Sequence, residues 1–492
     1  MVEHLSSFES LIWQLERVPE MRADFANVAV LARSPHMGRL RRRAAEVAEA
    51  FPKLGKSIAP ARPLGLWPGL AGPRWVAPGG ESCMGSAVRR VQLGDMASGR
   101  DAMDTAARLA DAPLDPGGRL WEMVVVGGGT GDPALLVQRV HHCLADGLGW
   151  LQVAMAFTDL DRGAGRPRAN DGLGGFELQP VSDAMPGVTG ARPLQDPERS
   201  AEPGGSGLAM LPRLFGSTFS AIRHPTSVMR SVAELATSSR QLGMQLAAAL
   251  HRGSRMLANR SGGREFATCS VSSPALMHGS RKLEVSQADL VVIAMARALG
   301  KYLEIMGEPC DELRMGYPVR MPRSDRKVGN HFFPARVVLP TRGDPPAQAR
   351  EIRQRLEAAR AAANAGVLEP VTAALNLLPS PLLDAAARWQ LGALDFTTTV
   401  LAGSRRTRFV AGAPIVATYP FGPLLGAGMN ATAITWGKKL GVGLHIDPAA
   451  IVERKVMLDC LKSEFEHLTG EPCDRRAMER PAAATQPRRP VE

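Results

Sequence analysis

Between Asp161 and about Ser206 the chain turns into Gly, Pro, Ala and Arg with few large apolar side chains, and this break constrains the fold most. A segment with so little to bury cannot offset the entropy of ordering its backbone, so it reads as a disordered surface linker. It separates two stretches in which strand-like and helix-like patterns alternate, which predicts an α/β protein of two lobes. The length of 492 residues allows for that, or for three smaller domains. The expected division is an N-terminal lobe over 1–160, the linker over 161–206, a helical connection and C-terminal lobe over 207–474, and a Pro/Arg-rich disordered tail over 475–492.

In the first stretch, "HMGRLRRRAAEVAEAFPKL" places Leu40, Ala44, Val47 and Phe51 on one helical face, and Pro52 ends the helix. "LWEMVVVGGG" and "ALLVQRVHH" read as strands, the second with apolar and polar side chains alternating. "DGLGWLQVAMAFTDL" then has Leu148, Leu151 and Met155 at helical spacing. After the linker comes a helical stretch from Leu211 to Gly253, interrupted at Pro225. "QADLVVIAMARALGKYLEIMG" is apolar almost all round and so predicts a buried helix. "DELRMGYPVRMP" and "NHFFPARVVLP" read as strands, "DPPAQAREIRQRLEAARAAAN" as an amphipathic helix, "GMNATAITWGKKLGVGLHID" as a hairpin and "ERKVMLDCLKSEFEHL" as a closing helix.

The chemistry concentrates in one place. His141 and His142 stand at a predicted strand end and Asp146-Gly147 at a predicted helix start, in a chain with ten histidines. Composition alone would produce His-His-x3-Asp-Gly in about one such chain in a thousand. One reading is structural: Asp146 caps the helix and the histidines are a polar strand end. A second is a metal site, against which neighbouring strand residues point to opposite faces, so His141 and His142 do not easily share an ion. The third makes one histidine a general base that takes the proton of an alcohol, amine or thiol attacking an acyl group. Gly147 would then leave room for substrate beside the imidazole. No Ser or Cys nucleophile with a paired base is evident, and Cys143 beside His142 in sequence does not make a dyad, so direct transfer is favoured over an acyl-enzyme.

Charge narrows the partners. Lys and Arg exceed Asp and Glu by 11 and the pI is about 9.8, which suits an anionic membrane surface, a phosphorylated ligand or an ordinary solvated surface. Nucleic acid is disfavoured, because the basic residues are scattered and aromatics make up only 5% of the chain. Six scattered cysteines without a Cys-x-x-Cys pair argue against a disulfide framework or structural zinc. The start "MVEHLSSFESLIWQLE" lacks the apolar core of a signal peptide, and no apolar run reaches the length of a membrane span. A cytoplasmic protein is expected.

His141-His142-Cys143-Leu144-Ala145-Asp146-Gly147 resembles the HHxxxDG motif of the coenzyme A-dependent acyltransferase superfamily, and the flanks resemble its bacterial wax ester synthase/diacylglycerol acyltransferase branch. "APLDPGGRLWEMVVVGG" is similar to that family's PLDxxxPLW segment, "GYPVRMP" to a PVSxR strand and "VGNHFFPARVVLP" to a GN…LP segment. Coverage runs from about Leu5 to Leu468, with the linker as a gap. Three segments depart from the pattern: Ser6-Ser7-Phe8-Glu9 stands for SPLD, Ala288-Asp289 for an Asn-Asp pair, and Val400 to Ser404 for NVPGP, with Gly403 alone retained.

The resemblance implies two chloramphenicol-acetyltransferase-like lobes with a tunnel between them. It implies His142 as general base, with His141 and Asp146 in support and Gly147 completing the motif. The implied reaction makes triacylglycerol from diacylglycerol, or wax esters from long-chain alcohols, with acyl-CoA as co-substrate and neither cofactor nor metal. It assigns no residue to coenzyme A. A condensation-type transferase on another acceptor, and a catalytically weak lipid-binding paralogue, stay open beside it. An insoluble acceptor and a basic chain together imply peripheral association with the inner face of the membrane or with lipid bodies. The arginines of the Gly38–Phe51 helix and of "SRRTR" (Ser404 to Arg408) are the candidate contacts, the second reading equally as a holder of coenzyme A phosphates and both as an ordinary solvated face.

Overall fold

The structure is a computed structural model that describes residues 3–60, 73–77, 87–94, 99–114, 118–127, 129, 131–160, 248, 250–320, 330, 332–363, 372 and 375–473. The linker over 161–206, nearly all of the expected helical stretch from Leu211 and the tail from Arg475 lie outside the described residues. The first part of the chain contains β1 (Glu3–His4), α1 (Ser7–Leu15), β2 (Asp24–Leu31), α2 (Met37–Ala50), β3 (Ser57–Ala59), β4 (Arg74–Val76) and β5 (Val88–Gln92). It continues with α3 (Gly99–Asp111), β6 (Trp121–Gly127), β7 (Ala134–His141) and α4 (Gly147–Ala156). The second part contains β8 (Glu265–Ser272), α5 (Ser273–Lys282), α6 (Gln287–Ile305), β9 (Glu312–Arg320), β10 (Phe332–Pro340), α7 (Pro345–Ala363) and α8 (Ser380–Leu391). It closes with β11 (Phe396–Leu401), β12 (Phe409–Val410), β13 (Ala413–Phe421), β14 (Met429–Trp436), β15 (Lys439–Ile446) and α9 (Arg454–Thr469).

Two mixed sheets form the lobes, in the orders β12-β13-β2-β7-β6-β5 and β10-β9-β11-β14-β15-β8. β12 and β13 thus pair with the first lobe, although they lie at residues that the linear division places with the second. What permits the crossing is backbone contact: a Cβ on Gly441 would fall on the carbonyl oxygen of Thr418, and one on Gly443 on that of Pro420. Only glycine at those two points of β15 lets β13 lie this close.

The first sheet is covered on both faces. Val28, Val124, Val126, Leu135 and Val137 pack with Ala106 of α3 on one side. Ala29, Leu31, Val125, Leu136 and Val140 pack with Leu40 of α2 and Trp150 and Leu151 of α4 on the other. All eight residues of β7 are therefore buried, and the polar positions read from its alternation face protein instead of solvent. Arg139 pairs with Glu122, and Gln138 accepts a bond from Asn27 at 2.9 Å. In the second lobe α6 is buried over nearly its whole circumference, as its composition predicts, between its sheet and α5, α7 and α9.

Candidate active site

β7 delivers the histidine pair. It runs antiparallel to β2 with Asp24 opposite His141 and Asn27 opposite Gln138. Beyond His141 a short turn leads to Asp146, whose carboxylate accepts the N–H of Gly149 at 2.7 Å and caps α4. The capping expected from sequence is present, and Asp146 also lines the cavity described below. The side chain of Arg320, a partner suggested by sequence for Asp146, lies outside the described residues.

The two histidines diverge. His141 turns away from the cavity and meets Glu16, with Nε2 2.8 Å from Oε2. Glu16 also accepts the N–H of Ala23 at 2.6 Å. Burial opposes a charge on His141, while Cys143 and Glu16 favour one and raise its pKa. The backbone nitrogen of Cys143 lies 3.2 Å from Nδ1, while Nε2 faces Glu16. Nearby, burial alone would raise the pKa of Asp24, but Arg22 and Arg264 outweigh it and hold the carboxylate ionised. Arg264 precedes β8, so this ion pair joins the lobes.

His142 faces the cavity, and its partner comes from the second lobe. Nδ1 lies 2.8 Å from the Oδ1 of Asn330, whose Nδ2 donates to the carbonyl oxygen of His142 at 2.8 Å. That second bond orients the amide: its oxygen accepts, so Nδ1 carries the proton and Nε2 keeps its lone pair. No described residue hydrogen-bonds to Nε2. The rings of Phe25 and Phe332 flank the imidazole, each at 5.6 Å between centroids. Burial lowers its pKa, against opposing contributions from Asp146 and Asn330, so the neutral base is the form present at neutral pH.

A cavity of about 1580 Å³ runs between the lobes past His142, Asp146 and Gly147. A Cβ on Gly147 would meet only Leu401, at 3.8 Å, so the glycine is not demanded by the protein around it and what it preserves is cavity space. His141 does not line the cavity. Cys143 is fully buried, its Sγ directed at the carbonyl of Glu9 at 3.4 Å, and burial raises its pKa; it is no nucleophile. Among the described residues no group of three or more His, Cys, Asp or Glu is placed to hold a metal.

Glu16 and Asn330 were missed as site residues by sequence reasoning. Asn330 stands in the quoted "VGNHFF" segment, 188 positions from His142, and Glu16 carries no local signal at all. The loop from Val400 to Ser404 gains a physical account: a Cβ on Gly403 would fall on the carbonyl oxygen of Thr435, whereas Leu401 and Ala402 line the cavity. The retained glycine is the sterically required one, and of the altered residues Val400, Leu401 and Ala402 line the cavity. In "SRRTR", Arg408 is buried and donates to Thr158 Oγ1 at 2.7 Å and to the Met155 carbonyl at 3.1 Å, which leaves Arg405 and Arg406 exposed.

Comparison with known proteins places this geometry in context. Residues 5–291 match the family model for the wax ester synthase/diacylglycerol acyltransferase catalytic domain, and 328–469 match that for its C-terminal domain. A Mycobacterium tuberculosis protein provisionally named a diacylglycerol O-acyltransferase is 24% identical over 480 residues, covering 96% of this chain and 94% of its own. The solved wax ester synthase/diacylglycerol acyltransferase of Marinobacter aquaeolei VT8 superposes with a TM-score of 0.60 at 17% identity, covering 95% of this chain and 100% of that one. A starter condensation domain of rhizomide synthetase, solved with C8-CoA and Leu-SNAC, superposes with a TM-score of 0.58 at 14% identity, covering 95% and 94%. These last two likenesses show the shared two-lobed fold.

Proposed function

The chain belongs to the wax ester synthase/diacylglycerol acyltransferase family and is an acyltransferase, and from that premise we propose that it transfers a fatty acyl group from acyl-CoA to a lipid hydroxyl with His142 as general base. Nε2 takes the hydroxyl proton as the oxygen attacks the thioester carbonyl. The tetrahedral intermediate collapses with loss of the coenzyme A thiolate, which takes the proton back from the imidazolium. Ester and free thiol leave, the base is regenerated, and the reaction balances with the two substrates alone. The observation that carries this reading is the His142–Asn330 pair, which leaves a bare, neutral Nε2 at the cavity. Asp146 holds the turn and α4 in place, Gly147 keeps space beside the ring, and exposed Arg281 and Arg405 at the cavity supply cations for the phosphates of coenzyme A. The test is release of free coenzyme A from palmitoyl-CoA with either dioleoylglycerol or hexadecanol; no release with either acceptor overturns it.

The same reading puts the enzyme at a lipid surface on the cytoplasmic side. No helix among the described residues is long and apolar enough to cross a membrane, so the contact would be peripheral. Arg41 and Arg42 on α2 and Arg406 after β11 are exposed, and each contributes about 1 kcal/mol beside an anionic leaflet, screened by salt. Sedimentation with anionic liposomes should show binding at low salt that is lost at high salt. Absence of binding at low salt removes the charge argument, and salt-insensitive binding replaces it with hydrophobic insertion.

A further inference from the structure

Gln138 is an amide in the middle of a strand whose neighbours Leu135, Leu136, Val137 and Val140 are apolar core residues, and it is 4% exposed. It is part of a row of hydrogen bonds across three strands: Thr418 of β13 donates to Asn27 Oδ1 of β2 at 2.6 Å, and Asn27 Nδ2 donates to Gln138 Oε1 of β7 at 2.9 Å. All three residues line the cavity. The direction of that row commits the oxygen of Gln138 and leaves its Nε2 bonded to no described residue. That nitrogen keeps access to the cavity, so a bound ligand with an acceptor there can take the place of water as its partner.

The contrast with the facing polar cluster sharpens the point. Across the cavity Asn430 donates to Thr397 at 2.7 Å and accepts from Thr432 at 2.7 Å, and Thr432 accepts the N–H of Gly422 at 3.2 Å. That amide uses both its oxygen and its nitrogen within the protein. Gln138 uses only its oxygen.

Resting on the proposed transfer to a lipid hydroxyl, we infer that Gln138 is a specificity-determining residue that donates to an ester carbonyl of the acceptor and makes the enzyme favour diacylglycerol over a simple long-chain alcohol. Gln138 and His142 are four residues apart, so their Cα atoms lie at most about 13 Å apart at strand rise, a gap that two side chains sharing one cavity narrow. A diacylglycerol with its free hydroxyl at His142 carries ester carbonyls a few bonds away. A fatty alcohol has only methylenes there and offers the amide no acceptor, and sites built to hydrogen-bond a substrate group discriminate against analogues that lack it.

The experiment compares kcat/KM for dioleoylglycerol and for hexadecanol, in the same mixed micelles with palmitoyl-CoA, for wild type, Gln138→Leu and Gln138→Glu. Glutamate still accepts from Asn27 but no longer donates. Both substitutions should lower the ratio of diacylglycerol to alcohol activity roughly fivefold to tenfold, as loss of one neutral hydrogen bond predicts, with thermal unfolding recorded for each variant. A ratio unchanged in both variants, or a matched rise in KM for palmitoyl-CoA with either acceptor, overturns the inference while leaving acyl transfer intact. A wild type that uses neither acceptor fails the underlying reading instead.

Discussion

His141 and His142 are the same side chain one peptide bond apart, and the protein puts them to opposite uses. His141 faces inward to Glu16, beside the ionised Arg22–Asp24–Arg264 group that ties the lobes together. His142 faces the cavity and is held by a neutral amide, with two aromatic rings against it. A carboxylate in place of Asn330 would favour the imidazolium of His142, whereas the neutral amide adds no charge beside the ring. On the other side His141 is paired with the Glu16 carboxylate. Because successive residues of a strand point to opposite faces, a histidine pair at a strand end gives each ring its own electrostatic environment.

The largest expected effect comes from breaking the cavity side. His142→Ala should lower kcat about 10²–10⁴-fold, the usual contribution of a general base, with little change in unfolding midpoint and with acyl-CoA still bound. Turnover near wild type in a folded variant would remove His142 from the mechanism. The inward side should respond in stability instead of rate. Glu16→Ala leaves the buried His141 Nε2–H and the N–H of Ala23 without acceptors, at about 1–3 kcal/mol each. Urea denaturation should therefore show a loss of roughly 2–4 kcal/mol, while kcat of the folded fraction stays within about tenfold. A large rate loss at unchanged stability would bring His141 into the chemistry and erase the contrast.

How much of this contrast the sequence reveals depends on the range of each interaction. The strand, the turn and the capped α4 follow from local rules: polarity at the strand end, an Asp at the N-cap, apolar residues at helical spacing. Opposite facing of the two rings follows from strand geometry. What the sequence could not disclose is which groups wait on either side, because Glu16 is 125 residues and Asn330 188 residues away, and both are brought in by tertiary packing. The same holds for β13. Its residues read as part of the second half, and only the steric fit of Thr418 and Pro420 against Gly441 and Gly443 of β15 shows how it reaches the first sheet. Polar residues in β7 were legible as polar but not as buried, since the covering of both sheet faces is a property of the assembled fold.

The smallest effect tests the electrostatic setting of His142 on which the contrast turns. With Nδ1–H donated to Asn330 and burial the dominant influence, the pKa of His142 lies below the ordinary imidazole value of about 6.5. Only the neutral ring accepts a proton, so kcat/KM of wild type should stay flat from alkaline pH through neutrality and fall only below that value. Asn330→Asp keeps an oxygen at the same position but makes it anionic, which favours the imidazolium and raises the pKa. The acid limb should then move to higher pH, and the ratio of activity at pH 6 to that at pH 8 should drop, even where the value at pH 8 falls only modestly. The variant also loses the bond from Nδ2 to the carbonyl of His142, a cost felt at every pH and therefore separable from the shift. An acid limb that does not move would mean that it does not report the His142 ring, and the assignment of His142 as the group that takes the proton would lose this support.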